Sequence, residues 1–155
     1  MKINVIINGE KKEWQVDPSE SLLDVLRREG YKSVKKGCNE GNCGTCTVLI
    51  DKKAVKSCVY LAGQAHNREI TTVEGLGTIS EPHPIQKHFV EKGAVQCGYC
   101  IPGMILSTHA LLEENSNPTE EDVKEALDGN LCRCTGYVKQ VEAVMAAAEE
   151  KRGES

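Results

Sequence analysis

The chain contains 155 residues, 39% of them hydrophobic and 4% aromatic, and carries a formal net charge of −4 at pH 7. Its scattered basic residues exclude a nucleic-acid-binding stripe, and no apolar run approaches the roughly 18 residues of a membrane span. A chain of this length forms one ordinary domain or two small ones, and small cores with few aromatic side chains usually need extra cross-links. The N-terminal residues alternate in polarity and do not form a secretory signal, so the sequence predicts a cytoplasmic protein.

The first predicted elements are a β-hairpin and one helix. Apolar residues alternate over residues 3–16, and Asn8-Gly9 within this stretch is a hairpin turn signal. The segment Asp17-Pro18-Ser19-Glu20 has a cap residue, then a proline, and a glutamate three residues after the cap, which predicts a helix start at Asp17. Gly30 predicts the end of this helix.

Further strands complete the first predicted domain. A glycine-rich stretch over residues 37–46 leads into a strand pattern at residues 47–50. An apolar run at residues 55–61 and a β-branched run at residues 70–73 follow. A hairpin, a helix and more strands in this order predict a ferredoxin-like β-grasp domain over residues 1–76 of an α+β protein.

The apolar spacing becomes helical in the second half of the chain. Residues 74–84, which hold two glycines and two prolines, are the predicted linker. Short connections between the helices predict a four-helix bundle over residues 77–155, with a frayed, charged tail from Glu149. The predicted helix starts are Pro84, Pro102, the cap Asn117 of Asn117-Pro118-Thr119-Glu120, and the cap Thr135.

Eight cysteines in a reducing compartment indicate metal or redox chemistry more than disulfides. The early set has the spacing C-x4-C-x2-C with a fourth cysteine one strand later, which is the plant-type spacing for a [2Fe–2S] cluster. Structural zinc sites, the main alternative beside disulfides, usually pair their cysteines two to four residues apart. The glycines between these cysteines allow a tight loop whose amide N–H groups point at the sulfurs. The early set is Cys38, Cys43, Cys46 and Cys58.

The late set consists of Cys97, Cys100, Cys132 and Cys134. Each of its two pairs lies just before a predicted helix, where unpaired N–H groups and partial positive charge favour thiolates. The one-residue gap between Cys132 and Cys134 is unusual for structural zinc. Spacing alone therefore favours a second cluster and leaves zinc and a redox dithiol as alternatives.

Three segments resemble, in order and spacing, the cluster motifs of the molybdenum hydroxylases. They are GCNEGNCGTCTV at residues 37–48, QCGYCIPG at residues 96–103 and GNLCRCTGY at residues 129–137. From about Ile3 to Ala148 the chain resembles the small iron–sulfur subunit of the xanthine dehydrogenase family, which includes nicotinate and aldehyde dehydrogenases and aerobic carbon monoxide dehydrogenases. Thr45 departs from this pattern, since the family more often has Ala or Ser there.

This resemblance implies an electron-transfer subunit with two [2Fe–2S] clusters, the first nearer the flavin and the second nearer the molybdenum. It implies that Gln96 and Cys134 approach the molybdopterin cofactor. It also implies partners: a molybdopterin-binding large subunit and an FAD-binding medium subunit in a hetero-oligomer, with a dimer of heterotrimers as one arrangement. Electrons would pass from molybdenum through both clusters to FAD.

Two other functions compete with this one on the sequence: a free ferredoxin or redox sensor, and a zinc-stapled interaction module. The second domain and Gln96-Cys97 favour the enzyme subunit. No catalytic residue is predicted in this chain, because it holds neither a triad nor a dinucleotide motif. The predicted substrate is an N-heteroaromatic such as a purine or nicotinate, with aldehydes and carbon monoxide as alternatives.

Overall fold

A computed structural model describes residues 1–153 of the chain. The five strands are β1 (Lys2–Ile7), β2 (Glu10–Gln15), β3 (Thr47–Ile50), β4 (Lys53–Lys56) and β5 (Glu69–Thr71). The five α-helices are α1 (Leu22–Arg28), α2 (Pro84–Glu91), α3 (Ile101–Glu114), α4 (Glu120–Leu127) and α5 (Val138–Gly153). Short 3-10 turns lie at Ser57–Val59, Ala62–Ala65 and Val73–Gly75.

The first half is a mixed five-stranded sheet in the order β2-β1-β5-β3-β4. Strands β1 and β5 are parallel, whereas the other paired strands are antiparallel. The turn between β1 and β2 has positive φ at Asn8 and Gly9, as a two-residue hairpin requires. Leu22, Leu23 and Leu26 of α1 are fully buried against the inner face of the sheet. The predicted α+β class with a β-grasp domain is confirmed.

Helix α1 begins later than predicted. Its N-cap is Ser21, whose hydroxyl accepts a hydrogen bond from the Asp24 amide at 3.1 Å, so the prediction of a start at Asp17 is wrong. The Asp17 carboxylate instead accepts the Ser19 amide within a turn. A short pairing of Ser21 with Leu61 fixes the chain in extended form just before the helix. Tertiary pairing therefore overrides a plausible local cap signal.

The second half is the predicted bundle of four helices, with a core centred on Phe89, Met104, Ile105 and Val144. The cap of α4 is Thr119 and not Asn117, because the Thr119 hydroxyl accepts the Asp122 amide. Helix α5 begins at Val138 and not directly after a Thr135 cap.

Helix α5 also continues beyond the point where fraying was predicted. It stays helical through Glu149 to Gly153, and the Lys151 ammonium donates to the Leu112 carbonyl at 2.9 Å. No helix among residues 1–153 is long and apolar enough to cross a bilayer.

The two halves are joined by close backbone contacts. Helix α3 packs on β3, and the Leu131 amide donates to the Cys43 carbonyl at 2.8 Å. The Tyr99 hydroxyl donates to the Lys36 carbonyl at 2.6 Å. A Cβ on Gly44 would lie 2.1 Å from the Gly129 carbonyl oxygen, so only glycine allows this approach. These contacts place the loops of the two cysteine sets against each other.

Candidate iron–sulfur sites

The early cysteines lie on the loop before β3 and on the turn after β4. The β3–β4 hairpin returns the chain so that Cys58 reaches the loop, and the neighbouring Ser57 hydroxyl donates to the Cys46 carbonyl at 2.7 Å. Cys46 is buried, while Cys38, Cys43 and Cys58 are partly exposed. The structure therefore brings all four early cysteines to one site.

Backbone amides surround the sulfur of Cys38. It accepts hydrogen bonds from the amides of Glu40, Asn42 and Cys43 at 3.3–3.4 Å. These bonds lower the pKa of the Cys38 thiol to about 6, which makes it a thiolate at neutral pH. The Cys43 sulfur accepts the Cys38 amide at 3.3 Å, so the loop supplies N–H donors to two thiols. The same N–H donors would stabilise the negative charge of a bound cluster.

The tight loop depends on Gly37. A Cβ at this position would lie 2.6 Å from the Cys43 sulfur and 2.7 Å from the Thr45 hydroxyl. The hydroxyl of Thr45 contacts the Cys43 sulfur at 3.2 Å and lies 3.4 Å from the Lys35 carbonyl, to which it can donate. The residue that departs from the family pattern thus touches a predicted ligand and leaves its sulfur in place.

The other two early thiols are close neighbours. Burial, followed by the adjacent Cys46 thiol, raises the pKa of Cys58 to about 11, against a hydrogen bond from the Gly41 amide that lowers it. A cation bound between such thiols would remove their protons, since metal ligation requires thiolates. Within the early site the Cys43 thiol acts on the pKa of Cys38 and the Cys46 thiol acts on the pKa of Cys58, so the thiols form two neighbouring pairs.

The late cysteines lie on two loops of the helical domain. Cys100 is the N-cap residue of α3 and is buried, and Cys97 precedes it on an exposed loop. Cys132 and Cys134 lie between α4 and α5, and Cys134 is exposed. The thiols again approach in pairs, Cys100 with Cys132 and Cys97 with Cys134.

The protonation of the late thiols follows their surroundings. Burial, then the neighbouring Cys132, raises the pKa of Cys100 to about 12. Burial acts in the same direction on Cys132, but hydrogen bonds from the Thr135 hydroxyl and nearby amides outweigh it and lower the pKa of that thiol. The Cys97 thiol raises the pKa of Cys134. The surroundings of Cys132 thus favour its thiolate, whereas those of Cys100 and Cys134 disfavour ionisation.

The paired arrangement fits a diiron core. Structural zinc needs four ligands around one ion, whereas a [2Fe–2S] core takes two thiolates on each iron. Two thiol pairs at each site match the second requirement.

Gln96 and Cys134 lie together on the surface. The Gln96 side-chain amide donates to the Cys134 carbonyl oxygen at 3.2 Å, and both residues are exposed. The hydrogen bond ties the loop before α3 to the loop before α5. Both residues are therefore accessible to a partner beside the late thiols.

Two family models match successive parts of the chain. A 2Fe-2S iron-sulfur cluster binding domain matches residues 5–72, and a [2Fe-2S] binding domain matches residues 72–145. Over 148 residues the chain is 50% identical to the nicotinate dehydrogenase small FeS subunit of Eubacterium barkeri, covering 95% of this chain and 94% of that protein. This chain belongs to the small iron–sulfur subunits of the molybdenum hydroxylase family. Members of this family are subunits of oxidoreductases, and this chain has two [2Fe–2S] binding domains.

Solved structures of the family have the same fold. Quinoline 2-oxidoreductase from Pseudomonas putida 86 matches with a TM-score of 0.93 and 42% identity over 100% of this chain and 98% of the matched chain. Aldehyde oxidoreductase from Desulfovibrio gigas matches with a TM-score of 0.96 and 41% identity, but this chain covers only 18% of that longer protein. The same unit thus occurs as a separate chain and as a segment of a larger one.

Sequence reasoning missed Gln140, which supports the late site. The buried Gln140 amide donates to the Thr135 hydroxyl and, at 3.0 Å, to the Ala94 carbonyl. The Tyr137 hydroxyl accepts the Cys132 amide at 2.8 Å. A helical glutamine looks like an ordinary surface residue in the sequence, and only the packing of α5 shows its position. Arg133, which lies between two of the late cysteines, is exposed.

Lys56 is the missed residue of the early site. Its ammonium donates to the Gly129 carbonyl at 2.6 Å and to the Thr47 hydroxyl at 3.4 Å. Burial lowers the pKa of Lys56, and the four early thiols act against this by raising it. By contrast, Lys36 forms an exposed ion pair with Asp24 at 3.0 Å.

Proposed function

We propose that this chain carries electrons from a molybdopterin cofactor, through two [2Fe–2S] clusters, to FAD on partner subunits. Cys38, Cys43, Cys46 and Cys58 would hold the first cluster, and Cys97, Cys100, Cys132 and Cys134 the second. The contact that supports this best is the hydrogen bond from the Leu131 amide to the Cys43 carbonyl, at 2.8 Å. It links the residue before one proposed ligand directly to another proposed ligand.

Hydrogen-bond donors around each site would stabilise the negative charge that a cluster gains when it accepts one electron. When bound, a cluster supplies a reversible one-electron centre with a charge of about −2 in its oxidised form. The amides of Glu40, Asn42 and Cys43 already point at a sulfur and need no rearrangement to stabilise added negative charge. The hydroxyl of Thr135 does the same for Cys132, at 3.2 Å.

The exposed surfaces beside the two sites support two partners. Leu131, Tyr137 and Val138 are exposed close to Cys134 and Gln96, on the side proposed to meet a molybdopterin-binding large subunit. Val59 and Leu61 are exposed beside Cys58, on the side proposed to meet an FAD-binding medium subunit. We propose a hetero-oligomer, with a dimer of heterotrimers as one arrangement, in the cytoplasm, where thiols stay reduced for cluster assembly.

The proposed substrate is an N-heteroaromatic, with nicotinate first. The names of the relative from Eubacterium barkeri and of the Pseudomonas enzyme refer to nicotinate and quinoline, both N-heteroaromatic. Aldehydes are the alternative, as the name of the Desulfovibrio enzyme indicates. Under this proposal the substrate binds to a partner subunit, and that subunit decides between them.

The test is anaerobic purification of the native complex from its own source, with analysis of iron, labile sulfide, molybdenum and flavin. We expect about four irons and four sulfides per copy of this chain. Copurifying subunits should contain molybdopterin and FAD, and nicotinate should bleach the visible iron–sulfur absorbance faster than xanthine or an aldehyde does. A colourless, zinc-containing protein would refute the proposal, and an iron protein without partners would support a free ferredoxin instead.

A further inference from the structure

Lys56 lies at the boundary between the two domains. It is the last residue of β4, opposite Thr47 in the β3–β4 register and two residues before Cys58. The next amide, that of Ser57, donates to the Cys46 carbonyl at 3.3 Å. The backbone thus places Lys56 beside two of the early cysteines.

The side chain of Lys56 reaches across the domain boundary. Its ammonium is held by the Gly129 carbonyl at 2.6 Å and by the Thr47 hydroxyl at 3.4 Å, and that hydroxyl donates onward to the Gly44 carbonyl at 2.7 Å. A Cβ on Gly129 would lie 2.9 Å from the ammonium nitrogen, so the glycine leaves the space that this nitrogen needs. The ammonium is therefore fixed in position by both domains.

The charge of Lys56 has no carboxylate partner. Every ion pair of residues 1–153 involves other basic groups, such as Lys36 with Asp24. The groups whose charge would raise the pKa of its ammonium are the four early cysteines, which must be thiolates when they hold a cluster. A half-buried charge is screened less than one in water, so its effect on a nearby anion is larger than that of a surface lysine.

We propose that Lys56 sets the reduction potential of the first cluster, with its ammonium fixed on the Gly129 carbonyl to stabilise the reduced, more negative form. This inference rests on the proposed function, because it requires a cluster on the early cysteines. Reduction adds one negative charge to the first site, and the fixed ammonium favours that state. Lys56 is thus a positioning and tuning residue, not a ligand.

The test uses the native complex containing this chain with Lys56→Gln, which removes the charge and keeps an N–H donor for the Gly129 carbonyl. Lys56→Arg keeps the charge, and Lys53→Gln removes an exposed charge from the same strand. The potential of each cluster is measured by redox titration followed by EPR, with signals assigned from cysteine variants of either set.

We expect Lys56→Gln to disfavour reduction of the first cluster about tenfold, which corresponds to about 59 mV for one electron. The second cluster should shift less, Lys56→Arg should stay near wild type, and Lys53→Gln should change little. A shift in Lys56→Gln no larger than in Lys53→Gln, or an equal shift of both clusters, would overturn the inference.

Loss of iron provides the remaining outcomes. If Lys56→Gln and Lys56→Met both lose the first cluster while Lys56→Arg retains it at an unchanged potential, the residue is structural and the inference fails. A wild-type complex without two clusters would instead refute the proposed function. The two failures are therefore distinguishable.

Discussion

The early and late cysteine sites differ in what surrounds their sulfurs. The early loop surrounds the Cys38 sulfur with three amide N–H groups and buries Cys46 in the core of the first domain. The late site leaves Cys97 and Cys134 exposed. We infer that this chain alone fixes the environment of the first cluster, whereas a partner surface completes that of the second.

The largest expected effect comes from breaking the contact between the sites with Gly44→Ala. The new Cβ would lie 2.1 Å from the Gly129 carbonyl oxygen, and Gly44 has a φ of 75°. Steric overlap and left-handed strain together should destabilise the chain by about 3 kcal/mol or more. Thermal unfolding and iron content measure the change.

The matched control for this substitution is Gly9→Ala. Gly9 has a similar φ of 83°, but a Cβ there meets nothing within 4 Å. We expect only the strain contribution, about 1 kcal/mol. Equal losses in the two variants would show that the close approach of the two loops contributes nothing to stability.

Local sequence patterns predicted the helices and strands of both domains better than they predicted the contacts between distant parts of the chain. The hairpin at Asn8-Gly9 and the end of α1 before Gly30 follow from turn chemistry that a few residues determine. The caps predicted at Asp17 and Asn117 are wrong because tertiary pairing and a competing hydroxyl at Thr119 select other starts.

At the candidate sites, too, local features could be predicted from the sequence, whereas contacts between distant residues could not. The spacing of the cysteines along the chain is local information, so two sets of four could be proposed from the sequence. The contacts of Lys56 with Gly129 and of Gln140 with Ala94 join residues 73 and 46 positions apart. Neither hydrophobic periodicity nor the spacing of the cysteines predicts such contacts, because they depend on how α5 and the loop before it pack.

The second largest effect tests the independence of the two sites. Cys134→Ser should remove the second cluster and leave the first, so that iron falls by about half. In the complex it should also slow electron transfer from molybdenum. Iron analysis and rapid-mixing absorbance with substrate measure both effects. Normal reduction of both clusters by substrate would contradict the assignment of Cys134.

A smaller effect distinguishes the thiols of the two sites in cluster-free protein whose circular dichroism shows retained helices. Because the pKa of Cys38 is lowered to about 6, its thiolate fraction and its alkylation rate should rise about tenfold from pH 5 to pH 7. Cys100, with its pKa raised to about 12, should stay protonated and unlabelled over that range. Mass spectrometry after iodoacetamide treatment gives the profile.

The control for this profile is the same protein unfolded in urea. Both thiols should then return to an ordinary pKa of about 8.5 and react alike at each pH. Equal rates for Cys38 and Cys100 in the folded protein would show that the amide donors of the early loop do not act on the sulfur.

The smallest effect concerns the exposed edge of the late site. Gln96→Ala removes the hydrogen bond to the Cys134 carbonyl without removing a proposed ligand, so both clusters should stay loaded. Loss of one exposed hydrogen bond costs about 1 kcal/mol or less, which is small beside the loss of a cluster. Gln64→Ala, at an exposed position of the first domain, is the matched control. If Gln96 faces the molybdopterin subunit, only Gln96→Ala should slow reduction of the clusters by substrate, and loss of iron in that variant would make its role structural.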